Sequence, residues 1–332
     1  NWELRDAWTT ERITTPLSVE WTYGHAPAMT KEESLAVLAS SKEAWNEWTW
    51  EWPSRSITER VATIRAFVED IKSIREDVVT DLMFEISKNK TDAEKEFDRT
   101  VEYIEKTCDE ALQLIPDRKE WSGWLRTESE PWPLGITLSM SPYNYPLNET
   151  FTTFIPSLVM GNPTILKPAR HGVLFRRHFF PFFQKHFPVG VVNTIYGDGK
   201  TIVTPIMQSW EIETLAFIGS DKVFEDIISQ HPKHHYINRV FGWWAKNAYI
   251  VTKTADIDLA IKECLIGAFS YDWQRCTAPK QLYLAREIKD VFMSWFKEAV
   301  ENIKIGMHEA WYTTVLSDTV YAWRTCTPMI TP

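Results

Sequence analysis

Between Gly135 and Ser220, short β-rich runs alternate with helical stretches, and that alternation leaves few folds open. Gly135–Ser141 reads as a strand ending at the turn Pro142-Tyr143-Asn144-Tyr145-Pro146. A helix over Phe151–Met160, the turn Gly161-Asn162-Pro163 and a strand over Thr164–Lys167 follow. A further helical stretch leads to Val191–Tyr196 and the loop Gly197-Asp198-Gly199. One more helix precedes a strand, Thr214–Phe217, that runs into Gly219-Ser220. Strands at this spacing predict the α/β class, a parallel sheet covered on both faces, because parallel neighbours need a crossover connection and the helix supplies it. Ligands of such sheets sit at the carboxyl ends of the strands, and the polar turns just named are expected there.

On either side the texture differs. Residues 30–115 read as amphipathic helices of one layer: Thr30 and Glu33 form a capping box for a helix to about Ala44. Ile57–Lys72, Asp77–Ile86 and Asp92–Ile115 repeat apolar residues at three and four. A third region begins near Arg239, with strands at Tyr249–Val251 and Gln281–Ala285 and helices at Ile257–Phe269 and Glu287–Ile303. The length, 332 residues, exceeds the roughly 250–300 at which single cores stop growing, so two domains are expected.

Net charge is −9 with no long basic block, which argues against nucleic acid or an acidic membrane surface as partner. No apolar run approaches the roughly 18 residues of a spanning helix, and Asn1–Glu11 is too polar for a signal segment. Cys108, Cys264, Cys276 and Cys326 show no paired spacing and read as reduced thiols of an intracellular, cytoplasmic protein. His231-Pro232-Lys233-His234-His235 lacks a Cys or carboxylate pair at ligand spacing and reads as a solvated loop, so no metal is expected. Cys108 and Cys264 fall on apolar sides of helices and read as core. Cys276 follows Arg275 in a polar turn, where a guanidinium favours the thiolate that attacks carbonyls, although spacing alone leaves a structural thiol open.

Four strings occur in order: Ser-Pro-Tyr-Asn-Tyr-Pro-Leu-Asn (141–148), Ile165-Leu166-Lys167-Pro168-Ala169, Phe217-Ile218-Gly219-Ser220 and Gln274-Arg275-Cys276-Thr277-Ala278. Together they resemble the aldehyde dehydrogenase superfamily, over about Pro27 to Met307. The resemblance implies an aldehyde dehydrogenase-like fold, with a Rossmann-like parallel-sheet cofactor domain over 1–118 and 134–242. An oligomerisation hairpin over 119–133 and an incomplete α/β catalytic domain over 243–332 would complete it, in a homodimer or homotetramer. It makes Cys276 the nucleophile, with the Asn144 amide and the Cys276 N–H holding the oxyanion. Ser141, Pro142, Lys167, Gly197, Gly219 and Ser220 become cofactor contacts. Arg170 stands where relatives that choose NAD carry a carboxylate. A cation there suits a 2′-phosphate, so NADP is the expected cofactor and NAD the alternative.

Glu96-Phe97-Asp98-Arg99-Thr100 resembles the segment that supplies a phosphate-contacting Arg in the non-phosphorylating glyceraldehyde-3-phosphate dehydrogenases. Tyr145, Arg275 and Thr277 match further substrate contacts, so the implied reaction takes glyceraldehyde 3-phosphate, or a similar anionic aldehyde, to the acid. On residues alone, Arg99 reads equally as a helix-surface charge paired with Glu96 or Glu102.

The pattern is broken at the general base, a Glu in the family: Gly242 and Trp244 occupy its two usual places before Lys246. Trp273 replaces a Gly, and Arg324 stands where a ribose-binding Glu would precede a Gly-Pro turn, here Thr327-Pro328. Indoles in tight Gly turns would overpack them at roughly 1–3 kcal/mol each. The resemblance also implies a further block after Met307 that this sequence lacks. Two readings stand: the 17 Trp include some in place of smaller or acidic residues in an incomplete chain, or this is a variant without its deacylating base. The second would pass its acyl group to coenzyme A, or bind nucleotide without reacting.

Overall fold

The computed structural model describes residues 10–303 apart from 16–17, 47–48, 114–118, 123, 129–130 and 244. It opens with a hairpin, β1 (Thr10–Thr15) and β2 (Ser18–Pro27), followed by helices α1 (Lys31–Trp45), α2 (Glu51–Ser54), α3 (Ile57–Ile71), α4 (Arg75–Ile86) and α5 (Lys90–Gln113). A second antiparallel hairpin, β3 (Lys119–Ser122) and β4 (Leu125–Glu128), leads on. Then strand and helix alternate: β5 (Thr137–Met140), α6 (Asn148–Val159), β6 (Thr164–Lys167), α7 (Phe180–His186), β7 (Val192–Thr194), α8 (Gly199–Gln208), β8 (Thr214–Gly219), α9 (Asp221–Ser229) and β9 (Asn238–Trp243). Last come β10 (Asn247–Val251), α10 (Ile257–Phe269), β11 (Pro279–Leu284) and α11 (Lys289–Glu301).

The predicted parallel sheet is present. Five strands pair in the order β7-β6-β5-β8-β9, every pair parallel. The chain moves outward from β5 through β6 to β7, then returns to the other side of β5 with β8. Strand order therefore reverses between β5 and β8, the place where open α/β sheets leave a crevice at their carboxyl ends. β10 and β11 form a separate parallel pair.

Period-two alternation divides the strands between two cores. Leu166 packs among α3–α7, whereas Ile165, its neighbour on β6, packs among α1, α8 and α9. Helix α1 contacts α8, β6 and β7, while α3 and α5 contact α6. The helices of 30–115 therefore do not form one layer: α1 lies on the opposite face of the sheet from α3–α5. Amphipathic spacing shows that each helix has an apolar stripe, not which side of the sheet receives it. The caps follow the sequence. Thr30 accepts from Glu33 N at 3.2 Å while Thr30 N donates to Glu33 Oε2 at 2.7 Å, and Ser56 with Glu59 repeats the arrangement.

Two other expectations need correction. Gly161-Asn162-Pro163 precedes β6 and lies at the amino edge of the sheet, where Asn162 Oδ1 accepts from Leu134 N at 2.6 Å and Gly135 N at 3.0 Å. It is a structural tie, remote from the carboxyl-edge crevice. His231 is buried, its Nδ1 accepting from Lys233 N at 3.1 Å; only Pro232–Tyr236 is exposed. Strands β1, β2 and β9 were not legible either. Edge strand β9 exposes Val240, Phe241 and Trp243 and breaks the usual alternation of burial. Trp244, Met307, Arg324, Cys326 and Thr327-Pro328 lie outside the described residues.

The hairpin β1–β2 is held by buried charge. Asp81 on α4 accepts from Tyr23 Oη at 2.5 Å and pairs with Arg177 and His178, each at 3.0 Å. One turn on, Glu85 accepts from Val173 N at 2.6 Å and Leu174 N at 2.9 Å. Burial pushes the Glu85 carboxyl up to about 7, against the pull of those N–H donors.

Candidate active site

Two cavities open at the carboxyl edge of the sheet. The larger, about 350 Å³, is bounded by Lys167, Arg170, Tyr196, Gly197 and Asp198, with Glu11 from β1 closing it. Lys167 is the last residue of β6, and burial lowers its pKa, opposed by the charges of Asp198 and Glu11. The Arg170 side chain is 74% exposed and meets Glu11 Oε1 at 2.8 Å, a surface pair that contributes little to stability and leaves the guanidinium free to exchange partners. Gly197 has φ +129°, and a Cβ there would lie 3.3 Å from Met29 N, so glycine lets the loop approach residue 29. Asp198 then caps α8, accepting from Lys200 N at 3.0 Å and Thr201 N at 3.1 Å.

This cavity fits a dinucleotide. It offers an ammonium at a strand end and a solvent-facing guanidinium, with open space around the Cβ position of Gly199, where nothing lies within 4 Å. Ser141 links it to the second cavity: its N–H donates to Lys167 O at 3.4 Å, and its hydroxyl accepts from the buried Arg176 at 3.1 Å. Gly219 ends β8, and Ser220 caps α9 by accepting from Val223 N at 3.4 Å. Neither borders the cavities, whereas Pro142 borders the second.

The second cavity, about 130 Å³, lies at the strand-order reversal. Cys276, Asn144, Tyr145 and Glu149 face Ile218, Gly242 and Trp243 across it. The nucleophile turn is held from three sides. The Asn144 side-chain amide donates to Gln274 O, Asn247 Nδ2 donates to Cys276 O at 2.8 Å, and Asp92 Oδ2 accepts from Tyr271 N at 3.2 Å. Cys276 is half-buried, whereas Cys108 and Cys264 are buried in their helices as expected, and burial raises both those thiols' pKa values.

Beneath the Asn144 turn sits a buried ion pair. Lys88 and Glu96 are in contact, with side chains 3% and 0% exposed. Glu96 Oε1 accepts from Leu147 N at 3.0 Å and Asn148 N at 3.1 Å, where α6 begins. The Lys88 ammonium lies 4.3 Å from the ring centroid of Tyr145 and 4.8 Å from that of Tyr271. The two rings are 4.9 Å apart, and burial raises the Tyr145 phenol far above its usual pKa, so it stays a neutral hydrogen-bonding group.

The predicted substrate contacts are thus dispersed. Tyr145 borders the cavity. Arg275 turns back to donate to Ser270 Oγ at 2.6 Å and lies 5.7 Å from the Tyr271 ring, so its guanidinium is engaged away from the cavity. Lys280 Nζ donates to Ala278 O at 2.9 Å beside the nucleophile turn, and burial lowers its pKa. Thr277 is exposed, and Arg99 is exposed on α5 with its charge reaching Glu102 and Glu149. Sequence reasoning missed Glu11, Glu149 and the Lys88–Glu96 pair as site residues. Glu149 directly follows the string 141–148, and that proximity was the available signal.

A half-buried thiol beside a side-chain amide donor suits nucleophilic addition to a carbonyl, the amide stabilising charge that develops on oxygen. Asn144→Ala is expected to slow that addition by about 10²–10³-fold. The check is a stopped-flow rate with aldehyde, alongside Cys276 alkylation, which should survive; an unchanged rate would remove Asn144 from the oxyanion site.

A model of the aldehyde dehydrogenase family matches residues 4–317. An NADP-dependent glyceraldehyde-3-phosphate dehydrogenase of Streptococcus equinus is 31% identical over 297 residues, covering 86% of this chain and 60% of that protein. The crystal structure of the NADP-dependent glyceraldehyde-3-phosphate dehydrogenase from Bacillus halodurans, complexed with NADP, superposes with a TM-score of 0.81 at 29% identity, covering 90% of this chain and 62% of that one. Betaine aldehyde dehydrogenase from Staphylococcus aureus, in complex with NAD+, shares the fold at a TM-score of 0.81 and 22% identity, over 90% of this chain and 59% of that one. The chain spans about three-fifths of the length of these relatives.

Proposed function

Since this chain belongs to the aldehyde dehydrogenase family, we propose that it is the cofactor-binding and thiol-bearing part of an NADP-dependent enzyme oxidising glyceraldehyde 3-phosphate, or a similar anionic aldehyde, to the acid. The observation that carries this reading is the cavity where Cys276 and Asn144 meet at the reversal of strand order. When bound, the nicotinamide dinucleotide supplies the hydride acceptor. Lys167 would hold ribose hydroxyls, and Arg170, released from Glu11, would meet a 2′-phosphate that a carboxylate would repel. Cys276 as thiolate adds to the aldehyde carbon, and the oxyanion is held by an Asn144 N–H and the Cys276 backbone N–H. Tyr145 stays protonated and orients the substrate by hydrogen bonding. The anionic substituent is drawn to Arg99, which also offsets the nearby charge of Glu149.

The test is hydride yield from the purified protein with glyceraldehyde 3-phosphate and NADP, without phosphate or coenzyme A. Sustained NADPH formation is expected; a product that requires coenzyme A would replace this reading by acyl transfer. No reduction at all, with nucleotide still bound, would leave a silent homologue. Arg170→Ala should raise the KM for NADP about tenfold and leave that for NAD nearly unchanged, the loss of one charge-assisted contact of roughly 1.5 kcal/mol. Equal effects on both cofactors would sink the 2′-phosphate role.

A further inference from the structure

Cys276 chemistry that passes through a thioester needs a base to activate water, and the wall position occupied by Gly242 carries no side chain to provide one. Three titratable groups border the cavity among the described residues: Cys276, Tyr145 and Glu149. The first is the nucleophile, and the second is held protonated by burial. We propose, on the footing of the reading above, that Glu149 is the general base that hydrolyses the acyl-enzyme.

Geometry supports the assignment. Glu149 lies in the first turn of α6, five residues after Asn144, so the helix that follows the Asn144 turn carries the carboxylate to the same cavity. The backbone donors at that helix start are already taken by Glu96, which accepts from Leu147 N and Asn148 N. The remaining partners of Glu149 are long: Asn148 Nδ2 at 3.4 Å and Thr152 Oγ1 at 3.3 Å, the latter hydroxyl also reaching Glu149 O at 3.0 Å. A carboxylate in a buried ion pair would be spent, whereas one with only weak neutral donors can take a proton. Burial raises the Glu149 pKa, with Glu96 adding to the rise and Arg99 opposing it. That direction suits a base working near neutrality. The cavity, about 130 Å³, has room for a water beside an acyl group, since one water occupies about 30 Å³.

The step balances without a further reagent. A water oxygen adds to the thioester carbonyl carbon while Glu149 takes a proton from that water, and the carbonyl electron pair moves to the oxygen held by Asn144. Collapse expels the Cys276 sulfur with the C–S electron pair. Acid and thiolate result, and the Glu149 proton passes to solvent.

The experiment is rapid-mixing NADPH formation by the protein with glyceraldehyde 3-phosphate and NADP. Glu149→Gln should keep a first burst of one equivalent per site at the unaltered rate and slow the following turnover by about 10²–10⁴-fold. Hydroxylamine, which attacks a thioester without a base, should restore turnover in that variant. The double variant Glu149→Gln/Gly242→Glu should recover hydrolysis in part. A Cβ at 242 meets only Ile218, at 3.6 Å and 3.7 Å, so the site accepts a side chain. Unchanged turnover in Glu149→Gln would overturn the proposal. So would equal slowing of burst and turnover without hydroxylamine rescue, because that marks a structural or substrate-binding role. A wild-type protein with no burst would fail earlier, at the Cys276 reading itself, and this role would fall with it.

Discussion

Cys276→Ala is expected to reduce aldehyde-dependent NADPH formation by about 10⁴-fold or more, including the first turnover, while leaving the protein folded. The magnitude follows from the role: without the sulfur no covalent intermediate forms, and the oxyanion donors have nothing to act on. The fold should tolerate the change because the turn is held by backbone and neighbouring groups, not by the thiol. Asn247 Nδ2 grips Cys276 O, Ala278 N donates to Arg275 O at 3.2 Å, and Asn144 reaches Gln274 O. A small substitution at a half-buried position without other contacts to break costs about 0.5 kcal/mol or less. Burst amplitude and thermal unfolding measured together decide the matter. Activity that persists in a folded variant would place the nucleophile elsewhere.

Glu96→Ala is expected to destabilise the protein by about 3–5 kcal/mol. Lys88 would be left as a buried charge, and the N–H groups of Leu147 and Asn148 would lose their acceptor at the start of α6. Both side chains of the pair are almost wholly buried, so solvent screening does not reduce the effect. For a chain of this size the change is a fall in Tm of roughly 6–20 °C. The same substitution should slow Cys276 addition, since Glu96 sets the register of the turn that carries Asn144. Removing both charges, as in Lys88→Met/Glu96→Leu, should recover part of the stability without the rate. Denaturant unfolding of the three proteins reads this directly; a Glu96→Ala loss below about 0.5 kcal/mol would mean that the pair is in effect exposed.

These predictions draw unequally on what the sequence discloses. Cys276, Asn144 and Lys167 were legible because each lies in a string that resembles the family's, and the structure puts all three at cavities on the carboxyl edge. Glu96 reads as an ordinary charge on a helical stretch and Lys88 falls in the break before it; nothing local marks a charge as buried. Arg275 shows the converse. Its place beside Cys276 suggested that it would act on the thiol, yet the backbone of the turn directs it to Ser270 and Tyr271.

What the sequence by itself determined is the set of elements and the faces they present. Strand and helix alternation required a parallel sheet, a capping box at Thr30 placed a helix start, and apolar periodicity marked the buried stripes. Tertiary structure alone decided which stripe meets which. It put α1 across the sheet from α3–α5, closed the larger cavity with Glu11 from a hairpin that carries no strand signal, and brought Glu149 on α6 to the same cavity as Cys276 beyond α10. The reason is physical: periodicity reports an element's own amphipathicity, a property of residues three or four apart. Juxtaposition across a sheet depends instead on strand order and on the side each crossover takes, and those are settled by long-range packing.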